Sequence, residues 1–399
     1  MNAANCQLPT VRTLHLIPYM HPSAGGPPVV VHQWCAELTR RGWTQDVLTT
    51  DAYAPNSDKS WIDEYRRSYP IEVAPHRGPK GFGYSSALKR MLVRRLTQCD
   101  LVHVHNIWSY CNRLAAELCV QRRIPFLVSP HGMLDPHSMG RKPWKKKLYG
   151  RLIEWPALRK AAGLVFTHAE EERLARATCP RLPHGFVVPL ATEEPPAKSR
   201  DELAEVFLRS RPELRDKVRI VFLSRLHSKK GLDLLLPAFQ QVLQHLPDAQ
   251  LVLAGPGEPD FVQWIRATTA SLRIADRTVL TGPLEGEAKW GALAAGDVYV
   301  LPSYQENFAI ALVEALRIGT PVVSSRRVNI WSDLDTAEAV SICELSADSV
   351  AQSILRLLQN PVLAKLQGQR GSEFAAANYT WSRSVDRLME VYDKVVGRQ

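Results

Sequence analysis

Glu306 and Glu314 stand eight residues apart, one in a short polar stretch after an apolar run and one inside an amphipathic segment. Upstream, Arg225 and Lys230 stand five apart, where another apolar run gives way to a helical pattern. Carboxylates can bind sugar hydroxyls. Two cations can neutralise a diphosphate, the arginine through its planar fork and the lysine as a point charge. Between the acids, Asn307, Phe308 and Ala309 fall where a helix would begin, and a helix start offers unpaired backbone N–H groups and a positive dipole end to an anion. A ligand that is part phosphate and part polyhydroxyl, such as a nucleotide sugar, suits this set. Spacing alone leaves the ordinary alternative open, a surface glutamate and a helix-dipole glutamate.

The elements that must position these groups read from apolar periodicity. Asp297 to Ser325 is strand, loop, helix, turn, strand: Val298–Leu301 is a short buried β run, Phe308–Leu316 a short helix, Gly319 and Pro321 its stop, and Pro321–Ser325 the next strand. Arg219–Ser224 is a strand that runs into the helix Leu232–Leu246, followed by strands at Ala249–Gly255 and Val279–Pro283. In the first half, a strand over Val11–Pro18 leads into the Gly/Pro loop His21–Pro28 and a helix over Val29–Arg41. Further strands follow at Asp100–Asn106, in the stretch Pro125–Leu134, where the strand runs into His131 and Gly132, and at Gly163–His168 and Phe186–Leu190. Residues 191–200 are polar and Pro-rich, which reads as a linker, and Ala351–Leu366 and Trp381–Val396 read as helices. Strands alternating with helices predict an α/β protein with parallel sheets, whose ligands sit at the carboxyl ends of the strands. His103 and His105 share one face of their strand, and His131 follows a strand end directly, where sites form in such sheets.

At 399 residues, 45% apolar and 23% charged, the chain is an ordinary globular protein long enough for two cores. No window reaches the roughly 18 apolar residues of a membrane span. The opening MNAANCQLPTVR lacks the basic and apolar regions of a secretory signal. Seven cysteines without a C-x-x-C pair suggest reduced thiols in a cytoplasmic compartment, not a disulfide frame or zinc site. The charge of +10 is uneven: residues 1–190 hold 26 Lys and Arg against 14 Asp and Glu, and residues 191–399 hold 24 against 26. Two basic segments stand out, an amphipathic helix over Ser85–Gln98 and the run Arg141–Lys160, RKPWKKKLYGRLIEWPALRK. Both fit contact with an anionic membrane as well as a plain solvated helix. In the second, interleaved aromatics also fit nucleic-acid binding, but no nucleic-acid motif is found, so no nucleic-acid partner is expected.

The stretch around the two acids resembles the E-x7-E motif of family 4 glycosyltransferases, retaining enzymes of bacterial exopolysaccharide and cell-surface glycan assembly among others. Ser303, Glu306, Phe308, Glu314, Ala315, Gly319, Pro321, Val322 and Val323 match that pattern, with Asn307 and Ala309 where many members have glycine. The Arg225 and Lys230 pair matches the family's basic pair. The resemblance implies a GT-B fold, two Rossmann-like domains with parallel sheets facing across a cleft. Residues 1–190 would bind the acceptor, 191–380 would bind a UDP- or GDP-linked sugar, and 381–399 would cross back to the first domain. It implies that Glu314 holds the ribose, that Arg225, Lys230 and the backbone of Asn307, Phe308 and Ala309 hold the diphosphate, and that Glu306 positions the sugar. Leu284 would meet the base through its backbone, Gly26 would face the donor phosphates, His131 would hydrogen-bond the transferred sugar, and His105 and Asn106 would line the acceptor site. No Asp-x-Asp metal motif is assigned, so neither a cofactor nor a divalent metal is expected. A nucleotide-sugar epimerase or a phosphorylase would use similar residues and stays as the alternative.

Overall fold

The computed structural model describes residues 11–54, 60–140, 143–179 and 181–397. The chain divides into two compact units, residues 1–190 together with 381–399, and residues 191–380.

The first unit is built on seven strands: β1 (Thr13–Leu16), β2 (Gln45–Thr50), β3 (Ile71–Ala74), β4 (Leu101–His105), β5 (Phe126–Ser129), β6 (Gly163–Phe166) and β7 (Gly185–Val187). All pair in parallel, in the order β3-β2-β1-β4-β5-β6-β7. The central strands are buried on both faces, and their alternation separates two chemistries. Leu14, Leu16, Val102 and Val104 join one apolar core. His15, His103 and His105, also fully buried, fall on the opposite face by the two-residue period. Two helices meet that face. Trp34, from the helix Gly26–Arg40, stacks on His103. Tyr392, from the helix Trp381–Val396, packs edge-on against it. The Trp34 indole N–H donates to Ser384 Oγ at 2.9 Å, and Arg41 joins Glu37, Asp386 and the Ser382 carbonyl, which fastens the last helix to this unit.

The second unit holds six strands: β8 (Arg219–Leu223), β9 (Gln250–Ala254), β10 (Thr278–Gly282), β11 (Val298–Leu301), β12 (Val322–Ser325) and β13 (Ser341–Cys343). They too are parallel, in the order β10-β9-β8-β11-β12-β13. In both sheets the order reverses beside the first strand, between β1 and β4 and between β8 and β11, the switch point at which such sheets open a crevice.

Several expectations change. The helix expected from Phe308 starts only at Ile310. The helix expected over Ala351–Leu366 is two, Ala347–Leu358 and Pro361–Asn378. Asn360 caps the second through its side chain, which accepts from Leu363 N at 3.1 Å, and Pro361 cannot continue the first. Residues 191–194 are not a free linker. Thr192 forms a parallel bridge with Thr380, Glu194 pairs with Arg317, and Glu193 lies 3.8 Å from Lys289.

The turn between β8 and the helix Leu232–His245 depends on Gly231, at φ 72°. A Cβ there would lie 2.0 Å from the Pro302 carbonyl oxygen at the end of β11, so only glycine lets the two loops touch. Gly231→Ala is therefore expected to cost about 2–4 kcal/mol, from the strained φ and the displaced loop together. Chemical denaturation that finds a loss below about 0.5 kcal/mol would contradict this contact.

Candidate functional site

The loops after β8 and β11 are brought side by side by the Gly231–Pro302 contact. The Tyr304 amide donates to the Lys229 carbonyl at 2.8 Å, and Lys229 Nζ donates to Gln305 Oε1 at 3.0 Å. Lys230 Nζ forms an ion pair with Glu306 Oε1, both side chains being largely buried. Glu306 is fixed through its backbone as well: its amide donates to the Arg327 carbonyl at 2.9 Å, and its carbonyl accepts from Asn329 N at 3.1 Å. Asn307 Oδ1 accepts from Asn329 Nδ2 at 3.1 Å. Lys230 and Glu306 thus form one unit. Arg225, at the end of β8, is exposed and has no ion-pair partner among the described residues.

Ala309 caps the helix Ile310–Arg317 in the left-handed conformation, φ 62° and ψ 69°. Leu312 and Val313 both donate back to its carbonyl, while the amides of Ile310 and Ala311 have no partner among the described residues. These are the free amides of a helix start. Phe308 does not belong to the helix. Its ring is buried and stands edge-on to Tyr379, with centroids 5.2 Å apart, so it anchors the loop and leaves only its backbone for a ligand.

Glu314 is buried, and Lys289 Nζ donates to its Oε1 at 2.5 Å. Burial raises its carboxyl above the usual range, while Lys289 works in the opposite direction. Lys289 went unread in the sequence because its helix, Gly286–Ala295, carries no motif. Leu284 is half-buried in the loop after β10. The chain does contain one Asp-x-Asp triplet, Asp333–Asp335, which the sequence reading passed over. It lies in the helix Trp331–Thr336, where residues two apart do not face each other, so its carboxylates do not converge.

In the first unit, Gly26 is the first residue of its helix, followed by Pro27 and Pro28. The prolines carry no N–H, so this helix start keeps only half the amide donors of an ordinary one. His105 and His131 belong to a chain of buried imidazoles. Gln45 Oε1 accepts from His15 Nε2 at 2.9 Å, His15 Nδ1 meets His105 Nε2 at 3.0 Å, and His105 Nδ1 meets His131 Nε2 at 3.2 Å. A carbonyl oxygen only accepts, so each neutral ring passes the same orientation to the next and His131 keeps Nδ1 as a bare acceptor. His103 is engaged at both nitrogens, by Tyr392 Oη at 2.7 Å and Ser129 Oγ at 2.8 Å. His15, His103 and His105 are close enough to share a metal, with ligand atoms within 4.8 Å of one another. Their nitrogens are nonetheless already engaged, and the His15 and His105 rings stack at 9°.

Strain gathers at the same strand ends. Asn106, Trp108 and His131 all have positive φ, of 66°, 60° and 49°. Positive φ in residues other than glycine is costly and persists where the surroundings impose it. Here the surroundings include Glu154, which accepts from the Trp108 amide at 3.0 Å and from Asn112 Nδ2 at 2.6 Å. Burial pushes its carboxyl up to about 7. The Asn106 side chain is buried, yet neither its oxygen nor its nitrogen has a partner among the described residues. Sequence reasoning missed His15, Gln45 and Glu154 because each is distant in sequence from the groups it holds.

The family profile described as "Glycosyl transferases group 1" matches residues 217–360, and that described as "Glycosyl transferase 4-like domain" matches residues 25–191. Phosphatidyl-myo-inositol mannosyltransferase of Mycobacterium tuberculosis is 32% identical over 185 residues, 45% of this chain and 47% of the relative, so the match spans about half of that relative's length. The GDP-mannose-dependent alpha-(1-6)-phosphatidylinositol monomannoside mannosyltransferase of Mycolicibacterium smegmatis is 26% identical over 374 residues, 88% of this chain and 95% of the relative. Among solved structures, Anabaena HepE in complex with UDP superposes with a TM-score of 0.76 at 16% identity, covering 96% of this chain and all of that one. Sucrose-phosphate synthase from Thermosynechococcus elongatus gives 0.73 at 20% identity, covering 97% and 100%. These likenesses establish the GT-B fold.

Two outcomes follow from this geometry. Ala309→Gly relieves the left-handed strain and loosens the unfolded chain by a similar amount, so stability should hold or rise by about 1 kcal/mol at most. A drop beyond 1 kcal/mol in denaturant melts would contradict the backbone assigned to Ala309. The second concerns pH. Burial lowers His15 and His131 to about 4 and holds His103 and His105 well below their ordinary 6.5. The unfolded chain therefore takes up more protons between those limits, and stability is lost as pH falls from 6.5 toward 4. Thermal midpoints across that window should fall steeply, with a shallower slope for His131→Gln, and equal slopes would refute the buried neutral cluster.

Proposed function

This chain belongs to the family 4 glycosyltransferases, and from that premise we propose that it transfers a sugar, with retention, from a UDP- or GDP-linked donor to a hydroxyl of a glycan or lipid-linked acceptor in surface polysaccharide assembly. The observation that carries this reading is the Lys230–Glu306 pair, at the switch point of the second sheet, in the loop that leads into the free amides of Ile310 and Ala311. Cations and amide dipoles for a pyrophosphate thus adjoin a carboxylate for hydroxyls.

In the proposed reaction, Arg225, Lys230 and the helix start hold the donor diphosphate and stabilise the charge that develops as it leaves. Glu306, oriented by Lys230, binds sugar hydroxyls and sets the anomeric carbon. Glu314, held by Lys289, is the ribose ligand. The anomeric C–O bond to phosphate breaks while the acceptor oxygen bonds to the same face, and the leaving phosphate oxygen takes the acceptor's proton. The cations carry the charge in this scheme, so no metal or cofactor is called for. His131, through its bare Nδ1, and Asn106 serve the sugar and acceptor, while His105, with both nitrogens engaged by His15 and His131, acts behind them by orienting His131; the unpartnered Asn106 amide supports that role, because a buried amide needs hydrogen-bond partners. The mannosyltransferase relatives named for phosphatidylinositol acceptors support a lipid-borne acceptor here. A cytoplasmic location at the inner face of the membrane belongs to the same proposal, and no helix among the described residues is long and apolar enough to cross one.

Thermal-shift screening against UDP, GDP and ADP, alone and as sugar conjugates, tests the donor site. The right nucleotide at about 100 times its Kd should stabilise the protein by about 2.7 kcal/mol. Lys230→Ala and Arg225→Ala should lose that shift and transfer activity together, while Glu306→Ala should lose transfer. Full transfer by a folded Lys230→Ala variant would overturn the assignment.

A further inference from the structure

Pro143 to Leu158 is one continuous helical rod with a π-helical turn in its middle: α-helix over Pro143–Tyr149, π turn over Gly150–Glu154 and α-helix over Trp155–Leu158. Trp144, Leu148 and Leu152 are 66%, 57% and 65% exposed, unusual values for large apolar side chains. They recur every four residues along about 12 Å of helix. In a regular α-helix a four-residue spacing drifts by about 40° per step. The wider π turn winds less per residue, so it brings Leu152 back toward the line of the other two. Gly150 makes room for this turn, since a Cβ there would meet the Trp155 ring at 2.9 Å. Val120, 48% exposed on the helix Tyr110–Arg122, lines with Leu152, Ile153 and Pro156 a groove of about 480 Å3, so the apolar stripe continues onto a second element.

The polar residues of the rod are sorted by sign. Between 141 and 160 there are eight basic residues and one acid. That acid, Glu154, is turned inward onto the Trp108 and Asn112 nitrogens. Lys145, Lys147 and Arg151 flank the apolar stripe, are exposed, and form no ion pair among the described residues. Lys145 lies over the Trp144 ring at 5.2 Å. The other basic helix, Ser86–Arg95, differs. Its Lys89 pairs with Glu117, and its Arg94 and Arg95 pair with Glu72, so most of its charge is spent within the unit. It also carries no exposed large apolar side chain.

We infer that the outer face of the rod, Trp144, Leu148 and Leu152 with Lys145, Lys147 and Arg151, docks on an anionic phospholipid bilayer, the apolar stripe entering the interface and the cations meeting lipid phosphates. A line of bulky apolar side chains bordered by unpaired cations matches that surface in both hydrophobicity and charge. A nucleic acid would match the cations alone, since only one of the three apolar residues can stack on a base. The inference deepens the reading of a lipid-linked acceptor by naming the surface that meets the membrane. It is tested without donor or acceptor, so its failure leaves the nucleotide shift of the second unit untouched.

Co-sedimentation of the full chain with phosphatidylcholine vesicles, with and without phosphatidylglycerol, is the experiment. Binding should require the anionic lipid and weaken with salt. Lys145→Gln with Lys147→Gln should reduce partitioning by about 25-fold, each charge near the surface contributing roughly fivefold. Trp144→Ser with Leu148→Ser and Leu152→Ser should abolish it. Both variants alter exposed side chains and should keep the melting midpoint and nucleotide shift of the parent. Parent-level vesicle binding by the triple variant would overturn the proposal, as would no binding by the parent. So would a dimer in light scattering that the triple variant turns into a monomer, or salt-sensitive RNA binding in place of vesicle binding.

Discussion

The second unit depends on a backbone contact before it depends on any side chain. Parallel strands β8 and β11 end side by side, but their loops can meet only because Gly231 has no Cβ to strike the Pro302 carbonyl. With that contact made, Tyr304 reaches the Lys229 carbonyl and Lys230 is delivered to Glu306. The ion pair is therefore a result of loop geometry. An isolated lysine–glutamate pair at a surface is worth little. This one is largely buried and held by backbone bonds on both sides, which gives it a definite orientation.

The first unit places its polar groups by the strand period. Alternation along β1 and β4 turns leucines and valines to one core and His15, His103 and His105 to the other face. Without carboxylates among them, the rings are kept neutral by burial and satisfied by each other, by Gln45, by Ser129 and by Tyr392. Strained backbone at Asn106, Trp108 and His131 follows directly where those strands end. Part of the hydrogen bonding that sustains it comes from Glu154, on the rod whose opposite face is apolar and basic. One helix thus carries two jobs on two faces, and the π turn is where they meet.

Much of this was legible in the sequence because it is local. The last helix runs from Trp381 to Val396 as its periodicity reads, and the Glu306, Glu314, Arg225 and Lys230 spacings sit on the elements expected of them. What the sequence hid is long-range. Lys289 meets Glu314 across 25 residues, Gln45 meets His15 across 30, and Glu154 meets Trp108 across 46. Phe308 has helix-compatible neighbours, yet burial against Tyr379 keeps it in the loop. The break at Asn360–Pro361 was available locally, since an Asn-Pro pair is a capping signal that outweighs the apolar pattern on either side. Gly26-Pro27-Pro28 is similar: the glycine suggests phosphate, but two missing N–H groups weaken the suggestion.

The bridge between Thr192 and Thr380 has a modular consequence. It sets the two ends of the 191–380 segment beside each other, so the segment interrupts the other unit's sequence as an insert with joined ends. Excising the segment, or closing the outer unit with a short turn in its place, leaves no distant ends to reconnect.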